Sequence, residues 1–485
     1  MTVGLYTSRV VLATLGADDF GLNAVVTSAV TIFYFLNSSM AGATSRFLTF
    51  ELGKGDREKL KKTFSAALTI HIIIALIVLV LGETVGLWYL ENKMVIPEGR
   101  MTAARWVYQL SLISAMFTLT QVPYNASIIA HERMNIYAYI EILQTCLRLG
   151  IVFLLVTGDF DKLILYALLT LCVTLMITVI YRIYCVKQFV ECRYKFHKDK
   201  SIIYPMLSFS GWDLFGNLGL TVKANGLSLV LNLFYSTVVN TAYGLADQVS
   251  RGMAQLAANL TIASKPQIIK YYTEKNFIQL QTLVNNSTLY MCLLFFTMSF
   301  PILLEVDFIL DLWLIKVPEY TGIFIQLLLF AVFSSIVQGG LNASIHATGK
   351  IKTVSWKTSM VNFLVPVSAY FICRLINVPA YTCLFLNLLA AILNTIIKLV
   401  TVKRIIPQFS LRLYFRKVIL TVLTVVVPAS VFPLIIRFSI EESFTRLMFL
   451  TLTNLFCTAA LTYSIVLNEN TRIQIKTVLI NKFSR

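Results

Sequence analysis

Charged side chains are scarce in this chain of 485 residues: they make up 13% of it, whereas apolar residues make up 57%. Soluble globular proteins have about 25% charged and about 45–50% apolar residues. So few charges cannot cover a surface that faces water, and the excess apolar area must therefore face lipid. The composition excludes a soluble protein and predicts a membrane protein.

Acidic residues are the scarcer charge, with 24 Asp and Glu against 41 Lys and Arg and a net charge of +17. In a soluble protein this imbalance would indicate nucleic acid as a partner. Here the basic residues lie in short loops between apolar runs, where they set the topology and contact anionic headgroups. We therefore expect membrane lipids and no nucleic acid.

Motifs of catalysis and metal binding are also missing. The eight cysteines lie mostly in apolar runs without a Cys-x-x-Cys pair, and the four histidines are scattered. These patterns favour neither a disulfide framework nor a zinc site. There is no GxGxxG, Walker A, GxSxG or HExxH motif, so we expect no enzyme, cofactor or metal. Arg9 interrupts the only candidate signal sequence, so no cleaved signal peptide is expected.

Long apolar runs are what the sequence has in abundance. A membrane-spanning helix needs about 20 mostly apolar residues. This criterion predicts an all-α polytopic membrane protein with about fourteen transmembrane helices, at residues 2–15, 22–49, 64–90, 104–130, 136–157, 163–186, 202–234, 237–263, 283–310, 320–346, 353–375, 379–400, 417–437 and 444–467. The first is short, and whether it is truncated or completed by a few unusual residues is left open.

The loops between these runs alternate in charge. One set holds 27 Lys and Arg, at residues 53–62, 131–135, 187–200, 265–275, 349–357, 398–417 and the tail from Asn468. The loops of the other set hold only 8. Because positive loops stay inside, the first set and both termini are predicted to be cytoplasmic in a bacterial inner membrane. All loops are too short for a soluble catalytic domain.

The sequence contains an internal repeat. The segment Asn125–Ala130, NASIIA, recurs as Asn342–Ala347, NASIHA, and each copy ends a predicted helix before a basic turn. Two further matches keep an offset of nearly the same length, at residues 45–46 with 264–265 and at residues 56–60 with 276–280. Six helices in each half give both copies the same orientation, as in a two-lobed transporter with a central site.

The repeat also predicts the domain boundaries. Residues 1–200 would form an N-terminal lobe of six helices and residues 201–402 a C-terminal lobe of six. Residues 403–485 would add two helices and a cytoplasmic tail. A parallel repeat relates the two lobes by an axis along the membrane normal.

Charges within the apolar runs predict the site. They are expensive in a bilayer and usually face a polar cavity or a partner. We predict a substrate-binding cavity between the lobes lined by Arg9, Arg46, Arg148, Lys223, Arg251, Asp213 and Asp247. Cations outnumber anions in this set, which favours an anionic cargo such as a pyrophosphate-linked lipid.

Polar residues recur at helical spacing on the runs 22–49 and 237–263. These stripes indicate either a hydrated wall or hydrogen bonds that join helices. Simpler roles also stay open for single charges: Arg46 could snorkel to the headgroups, and Asp247 and Arg251 could neutralise each other. Lys223 and Arg148 lie well inside their runs and are the sharper candidates.

Four acidic residues and one histidine receive simpler predictions. Glu83, Glu305, Asp307 and Asp311 lie near outer helix ends and are expected to be solvated. His71 is alone on an apolar helix, which favours a packed core histidine over a proton relay. Glycines of the run 202–234 permit close helix approach or bending.

Four stretches together resemble a known family: Leu5–Gly21 (LYTSRVVLATLGADDFG), Phe209–Gly216 (FSGWDLFG), Leu231–Phe234 with Val238–Asn240, and Pro266–Lys270 (PQIIK). They are similar to the polysaccharide-biosynthesis flippases of the MATE-like (MOP) superfamily, especially the Bacteroides-type O-antigen flippases. The stretches span both lobes.

The resemblance implies alternating access between two six-helix lobes. It also implies a cationic cavity for an undecaprenyl-pyrophosphate-linked oligosaccharide, as in lipopolysaccharide and O-antigen synthesis. A polysaccharide polymerase and other export components are expected partners. Lipid II flippases of the superfamily have essential arginines on helices 1, 2 and 8, where this chain has Arg9, Arg46 and Arg251, and only Arg9 lies in a matching motif.

Two further functions compete with this flippase. An ion-coupled multidrug exporter of the same fold would need buried carboxylates for cationic drugs rather than an excess of cations. An O-antigen polymerase or ligase would need a large external loop with catalytic basic residues, and the longest external loop here has about fifteen residues by the span criterion. The sequence does not reveal the sugars of the cargo or the coupling ion.

Overall fold

The computed structural model describes residues 34–92, 99–155, 161–195, 199–235, 237–314 and 317–467, together with isolated positions outside these ranges. All regular structure in these ranges is helical. The predicted fold class, an all-α polytopic membrane protein, is confirmed. The chain divides into two compact units, Met1–Leu214 and Phe215–Arg485.

Within its described residues, the first unit contains five long helices and a short 3₁₀ turn. The helices are α1 (Tyr34–Lys54), α2 (Arg57–Asn92), α3 (Met101–Ala130), α4 (Met134–Leu154) and α5 (Lys162–Gln188), and the turn is Val190–Cys192. A π-helical turn interrupts α2 at Gly82–Gly86. The long helix α6 (Lys200–Phe234) begins in the first unit and ends in the second.

The part of the second unit that the structure describes contains the rest of α6 and eight further helices. These are α7 (Thr237–Thr273), α8 (Phe277–Leu304), the short α9 (Val306–Trp313), α10 (Thr321–Thr348), α11 (Lys352–Leu375), α12 (Tyr381–Ile405), α13 (Leu411–Ser439) and α14 (Phe444–Val466). The predicted runs from 22–49 onward therefore each have a helical counterpart, whereas the first run, 2–15, lies largely outside the described residues.

Nine helices in the described part of the chain are long and apolar enough to cross a membrane. The other long helices, α1, α3, α4 and α7, fall short of that standard. Helices α1 and α7 carry the two polar stripes found in the sequence. Their lower hydropathy is expected of helices that turn one face to other helices or to a polar interior.

Several predicted basic loops are partly helical. For example, helix α7 continues through Pro266 to Thr273, into the predicted loop 265–275, and α12 continues to Ile405, past the predicted end at residue 400. The prediction was wrong here because the criterion counts apolar residues. A helix satisfies its own backbone hydrogen bonds and can extend past its apolar part.

The predicted helix 283–310 is instead two helices, because α8 ends at Leu304 and α9 begins at Val306. Glu305, at the break, was predicted to be solvated, and this was wrong. Its side chain is 1% exposed and accepts a bond of 2.5 Å from Arg446 on α14. A buried carboxylate needs a partner, and Arg446 supplies it. The ion pair joins α14 to the end of α8.

Local backbone structure coincides at the repeat positions. Asp56 accepts a hydrogen bond from the Lys59 amide at the start of α2, and Asn276 accepts one from the Gln279 amide at the start of α8. Such side chains cap helix N-termini. Each cap follows a residue with positive φ, Gly55 at 74° and Lys275 at 56°. The matched segments therefore form the same helix-turn-helix connection.

A partly buried ion pair also joins helix ends in the first unit. The Arg100 guanidinium donates to Asp161 at 2.6 Å, and Asp161 caps α5 through the Leu163 amide at 3.0 Å. Burial alone would raise the pKa of Asp161, but the bonds from Arg100 and the α5 amides hold it below its usual value. Arg100 thereby connects the start of α3 to the start of α5.

Candidate functional site

Arg46 lies on α1 inside the first unit, and its residue is only 7% exposed. Its guanidinium carbon lies 4.5 Å from the ring centre of Phe47, 4.8 Å from that of Phe50 and 5.8 Å from that of Phe209. Aromatic faces attract a guanidinium. The structure thus places Arg46 among three rings of α1 and α6. The Arg46 side chain is therefore packed inside the unit and does not snorkel to the headgroups.

Two other predicted residues of the first unit lie on α4 and α6. Arg148 is exposed on α4, and Asp213 is half-buried on α6, one turn after Phe209. Arg9 lies outside the described residues. Whether Arg9, Arg46 and Arg148 share one cavity stays a prediction.

His71 on α2 is fully buried, and its Nε2 lies 3.2 Å from the Thr44 hydroxyl of α1. The surroundings agree with the predicted core histidine. A packed histidine with a hydroxyl partner joins α1 to α2 inside the first unit.

In the second unit, Asp247 and Arg251 on α7 form an ion pair of 3.0 Å between Oδ2 and a guanidinium nitrogen. The residues are one helical turn apart. The Arg251 side chain is 74% exposed and that of Asp247 24%. Asp247 therefore has its own cation, and Arg251 extends beyond the pair toward the exterior of the unit.

Helices α6 and α11 approach each other closely at two glycines. A Cβ added to Gly219 would lie 2.8 Å from the Ser359 Cα, and one added to Gly226 would lie 2.6 Å from the Pro366 Cβ. Both numbers increase together, so the two helices run in the same direction. The predicted role of these glycines in close helix approach is confirmed at these positions.

Lys223 lies on the same face of α6 as these glycines, one turn after Gly219 and one turn before Gly226. It is half-buried. Lys398 of α12, also half-buried, lies within range of its positive charge. Among the residues that the structure describes, neither lysine has a hydrogen bond or an ion pair. The chain thus brings two cations, one on α6 and one on α12, within electrostatic range of each other.

The polar groups that frame this pair are neutral. Asn394, one turn before Lys398, donates from Nδ2 to Asn362 Oδ1 of α11 at 3.0 Å, and both asparagines are buried. On the other side of α12, Thr395 accepts from Gln338 of α10 at 2.9 Å. These bonds fix the rotation of α12 and hence the direction of Lys398.

A cavity of about 330 Å³ lies elsewhere in the second unit, between α7, α8 and α10. Its lining includes Thr261, Lys265, Asn342 and His346. Asn342 and His346 belong to the repeated NASIHA segment, and Lys265 is the repeat counterpart of Arg46. The repeated segments therefore line a cavity with polar groups in this unit.

Sequence reasoning missed several of these residues. Lys398 fell where the predicted helix 379–400 overlaps the predicted basic loop 398–417, and it was not considered as a site residue. Lys265 was assigned to a loop. Arg182 of α5 was not considered, yet it donates to Thr120 at 3.1 Å and lies 5.7 Å from the Tyr124 ring centre. No local signal distinguishes Arg182 from a residue that only ends a helix.

Solved structures show the fold. The chain is similar to a crystal structure of a MATE point mutant, with a TM-score of 0.73 and 12% identity over 84% of this chain and 93% of that one. A second similar structure is a MOP superfamily transporter from Pyrococcus furiosus, with a TM-score of 0.70 and 12% identity over 84% of this chain and 92% of that one. That protein is described as having a binding pocket of reverse polarity, which suggests a different function. The Vibrio cholerae MATE transporter VcmN in the bent form has a TM-score of 0.67 and 14% identity over 86% of this chain and 95% of that one.

No curated protein matches the chain. A family described as "Polysaccharide biosynthesis protein" matches residues 3–271, which include nearly all of the first unit and the start of the second. The matched part contains the stretches that carry the resemblance in the sequence. The fold is that of membrane transporters, and the chain is a multi-pass membrane protein that belongs to the polysaccharide biosynthesis protein family.

Proposed function

We propose that the protein flips an undecaprenyl-pyrophosphate-linked oligosaccharide from the cytoplasmic to the periplasmic leaflet of a bacterial inner membrane, by alternating access. Family membership supports a role in polysaccharide synthesis, and the fold supports transport. The topology stays as proposed from the loops, with both termini cytoplasmic. The pyrophosphate would be the group that the protein binds electrostatically.

The cation Lys223 is the observation that carries this proposal. A cation at the centre of a bilayer helix costs about 2.5–3.5 kcal/mol on insertion scales. A carboxylate partner would remove that cost, but α6 from residue 215 onward, α11 and α12 contain no Asp or Glu. Asp247 of the neighbouring α7 already forms an ion pair with Arg251. A retained cation without an acid suits an anionic cargo.

The same observation counts against export of cationic drugs, for which buried carboxylates would be needed. Several solved structures that the chain resembles are of MATE transporters, one of them described as belonging to a multidrug resistance family. At 12% identity this likeness concerns the fold alone. A multidrug exporter is therefore kept as the alternative that the experiment must separate.

The test is export in cells that lack the chromosomal copy of the gene. Lys223→Ala should make undecaprenyl-linked oligosaccharide accumulate in the cytoplasmic leaflet while the protein stays at wild-type abundance, and Lys223→Arg should retain part of the export. Lys417→Ala, which removes an exposed lysine of α13, is the matched control. Resistance to cationic drugs should not change in any of these strains.

Two results would contradict the proposal. Normal export by Lys223→Ala at normal abundance would remove Lys223 from the mechanism. Normal saccharide export after deletion of the gene, together with increased sensitivity to cationic drugs, would favour the multidrug exporter instead.

A further inference from the structure

We propose that Lys223 and Lys398 together form one binding site for a phosphate-class anion inside the second unit. Lys398 belongs to no motif and was not among the residues predicted to bind cargo. The inference rests on the proposed function only for the source of the anion, which is either the diphosphate of the lipid-linked cargo or a free phosphate.

The register of three helices places the two lysines at one level. Gly219 of α6 contacts Ser359 of α11, and Lys223 follows Gly219 by one turn. A lysine on a helix points back toward the N-terminus of that helix, here toward the level of Gly219 and Ser359. Asn362, one turn after Ser359, accepts from Asn394 of α12.

Lys398 reaches the same level from the opposite direction. Helices α11 and α12 are joined by a short turn and run antiparallel, so one turn forward from Asn394 is one turn back from Asn362, at Ser359. The Cα of Lys398 occupies that position, and its side chain points back toward Asn394 by the same rule. The two side chains therefore point toward each other's level, and Lys398 lies within range of the charge of Lys223. The contact of Gly219 with Ser359 and the hydrogen bond between Asn394 and Asn362 thus set a register that places the two lysines at neighbouring levels.

No carboxylate lies on α6 from residue 215 onward, on α11 or on α12, so these segments offer the pair no acidic partner. Two like charges side by side destabilise each other, and each must also leave water. Such an arrangement is stable when an anion supplies the missing charge. The framing groups, the amides of Asn362 and Asn394, are neutral and do not compete for that role.

Two ammonium groups match the charge of a phosphoryl group. Lysine binds phosphate as a compact point charge with three donors, and two lysines can contact different oxygens of one phosphate or of a diphosphate. Chloride would leave one positive charge unbalanced. The site is therefore expected to prefer phosphate and pyrophosphate to chloride.

The experiment measures binding of sodium pyrophosphate to the full-length protein in detergent by titration calorimetry, with phosphate and chloride as comparisons. We expect Lys223→Gln and Lys398→Gln each to weaken pyrophosphate binding by at least about tenfold, which corresponds to 1.4 kcal/mol. Lys398→Arg should retain most of the binding, since it keeps the charge. Lys417→Gln, the exposed lysine, should bind as the unaltered protein does.

Competition with undecaprenyl pyrophosphate in nanodiscs distinguishes the two sources. Displacement of pyrophosphate by the lipid shows that the site takes the diphosphate of the cargo, and binding of free anions without such displacement shows a site for a soluble phosphate. Equal pyrophosphate affinity in Lys398→Gln and the unaltered protein, or no binding at all, overturns the proposal. Export in cells is measured separately, so failure of the anion site and failure of the flippase proposal are distinct results.

The geometry also points to a disulfide between Cys373 and Cys383. Cys373 lies in the last turn of α11 and Cys383 in the first turn of α12, and their Sγ atoms are 3.6 Å apart. Tyr235 at the end of α6 holds the intervening turn, because its hydroxyl donates to the Val378 carbonyl at 2.7 Å and lies 3.5 Å from Cys373 Sγ.

The proposed topology places this turn on the outer face, where disulfides form and persist. Cys373 is half-buried and Cys383 is buried, so Cys373 is the thiol that an oxidant meets first. The Cys373 thiolate attacks a disulfide-containing oxidant, which releases one thiol, and the Cys383 thiolate then attacks the Cys373 sulfur and releases the second. Two protein thiols and one external disulfide become one protein disulfide and two external thiols.

A second cysteine pair of this chain serves as the control. Cys185 of α5 contacts Cys192 of the 3₁₀ turn, on the face predicted to be cytoplasmic, where thiols stay reduced. Membranes are denatured in N-ethylmaleimide without reductant, and the peptides are analysed by mass spectrometry. We expect Cys185 and Cys192 to be alkylated, and Cys373 and Cys383 to be alkylated only after reduction.

The variant Cys373→Ser should make Cys383 alkylated without reduction, which shows that the two residues are each other's partners. Alkylation of both Cys373 and Cys383 in unreduced protein from freshly isolated membranes would overturn the disulfide proposal.

Discussion

The buried ion pair between Glu305 and Arg446 allows a prediction of stability with a magnitude. The side chains are 1% and 7% exposed, and the bond is 2.5 Å long. Glu305→Leu leaves the Arg446 guanidinium without its carboxylate in a position from which water is excluded. Removing one member of such a pair costs about 3–5 kcal/mol. Glu442, 3.4 Å from Arg446 and 67% exposed, can compensate only weakly.

Replacing both members tests whether the cost comes from the uncompensated charge. The double variant Glu305→Leu/Arg446→Met has no buried charge, and apolar replacement of a buried pair is often neutral or stabilising. It does leave the Ile440 carbonyl, which accepts from Arg446 at 3.0 Å, without that donor. Ile440 is 39% exposed, so water can replace that donor, and we expect the double variant to recover at least half of the loss.

The assay is the free energy of unfolding of the purified protein, measured by titration with a denaturing detergent. The matched control is Glu58→Leu, because the Glu58–Lys61 pair has side chains 77% and 39% exposed. Exposed pairs contribute about 0–1 kcal/mol. A loss below about 1 kcal/mol for Glu305→Leu, or an equal loss in the single and double variants, would refute the argument from the uncompensated charge.

Three further predictions follow from other parts of the molecule. Gly219→Ala should destabilise the protein by about 1–3 kcal/mol in the same titration, because the new Cβ would lie 2.8 Å from the Ser359 Cα. Gly211→Ala, whose Cβ would have nothing within 4 Å, should be neutral or stabilising. Equal effects of the two substitutions would contradict the close contact of α6 and α11. Asp161 has a lowered pKa in the folded state, so the stability that its carboxylate contributes should be present above its usual pKa and be lost as the pH falls through the lowered value. Asp161→Asn should therefore be less stable than the unaltered protein at neutral pH. A difference in unfolding free energy that did not narrow in acid would argue against this linkage. Single cysteines introduced at Lys61 and at Ile376 should be labelled by impermeant maleimide from the cytoplasmic and the outer side respectively, and labelling at Ile376 from the cytoplasm alone would reverse the topology.

The repeat gives a local result and a remaining prediction. The match of residues 56–60 with 276–280 corresponds to the same capped turn in both places, because Asp and Asn each accept from the amide of the third residue on. Superposition of helices across the two units, with Asn125 on Asn342, stays a prediction for an experimental structure. No overlap of these asparagines would contradict the parallel repeat.

Much of the fold could be predicted from the sequence, because hydropathy depends on composition within a window. The helix positions, the family resemblance and the candidacy of Lys223 all came from local patterns. The helix ends at Thr273 and Ile405 could not be predicted this way, since an apolar criterion stops where polar residues begin although the backbone hydrogen bonds continue.

Which side chains on different helices become partners was decided only by the tertiary structure. The sequence placed Glu305 at an outer end with water as its expected neighbour, and packing of α14 against α8 gave it Arg446 instead. It placed Asp247 and Arg251 one turn apart, which was sufficient to foresee their pair. It gave no reason to join Lys223 to Lys398, which lies far away along the chain. Contact between distant helices depends on rotation and register, which are set here by residues such as Gly219, Ser359 and Asn394. Local sequence thus determined which segments enter the membrane, and the packing of glycine and asparagine faces determined which charges meet there.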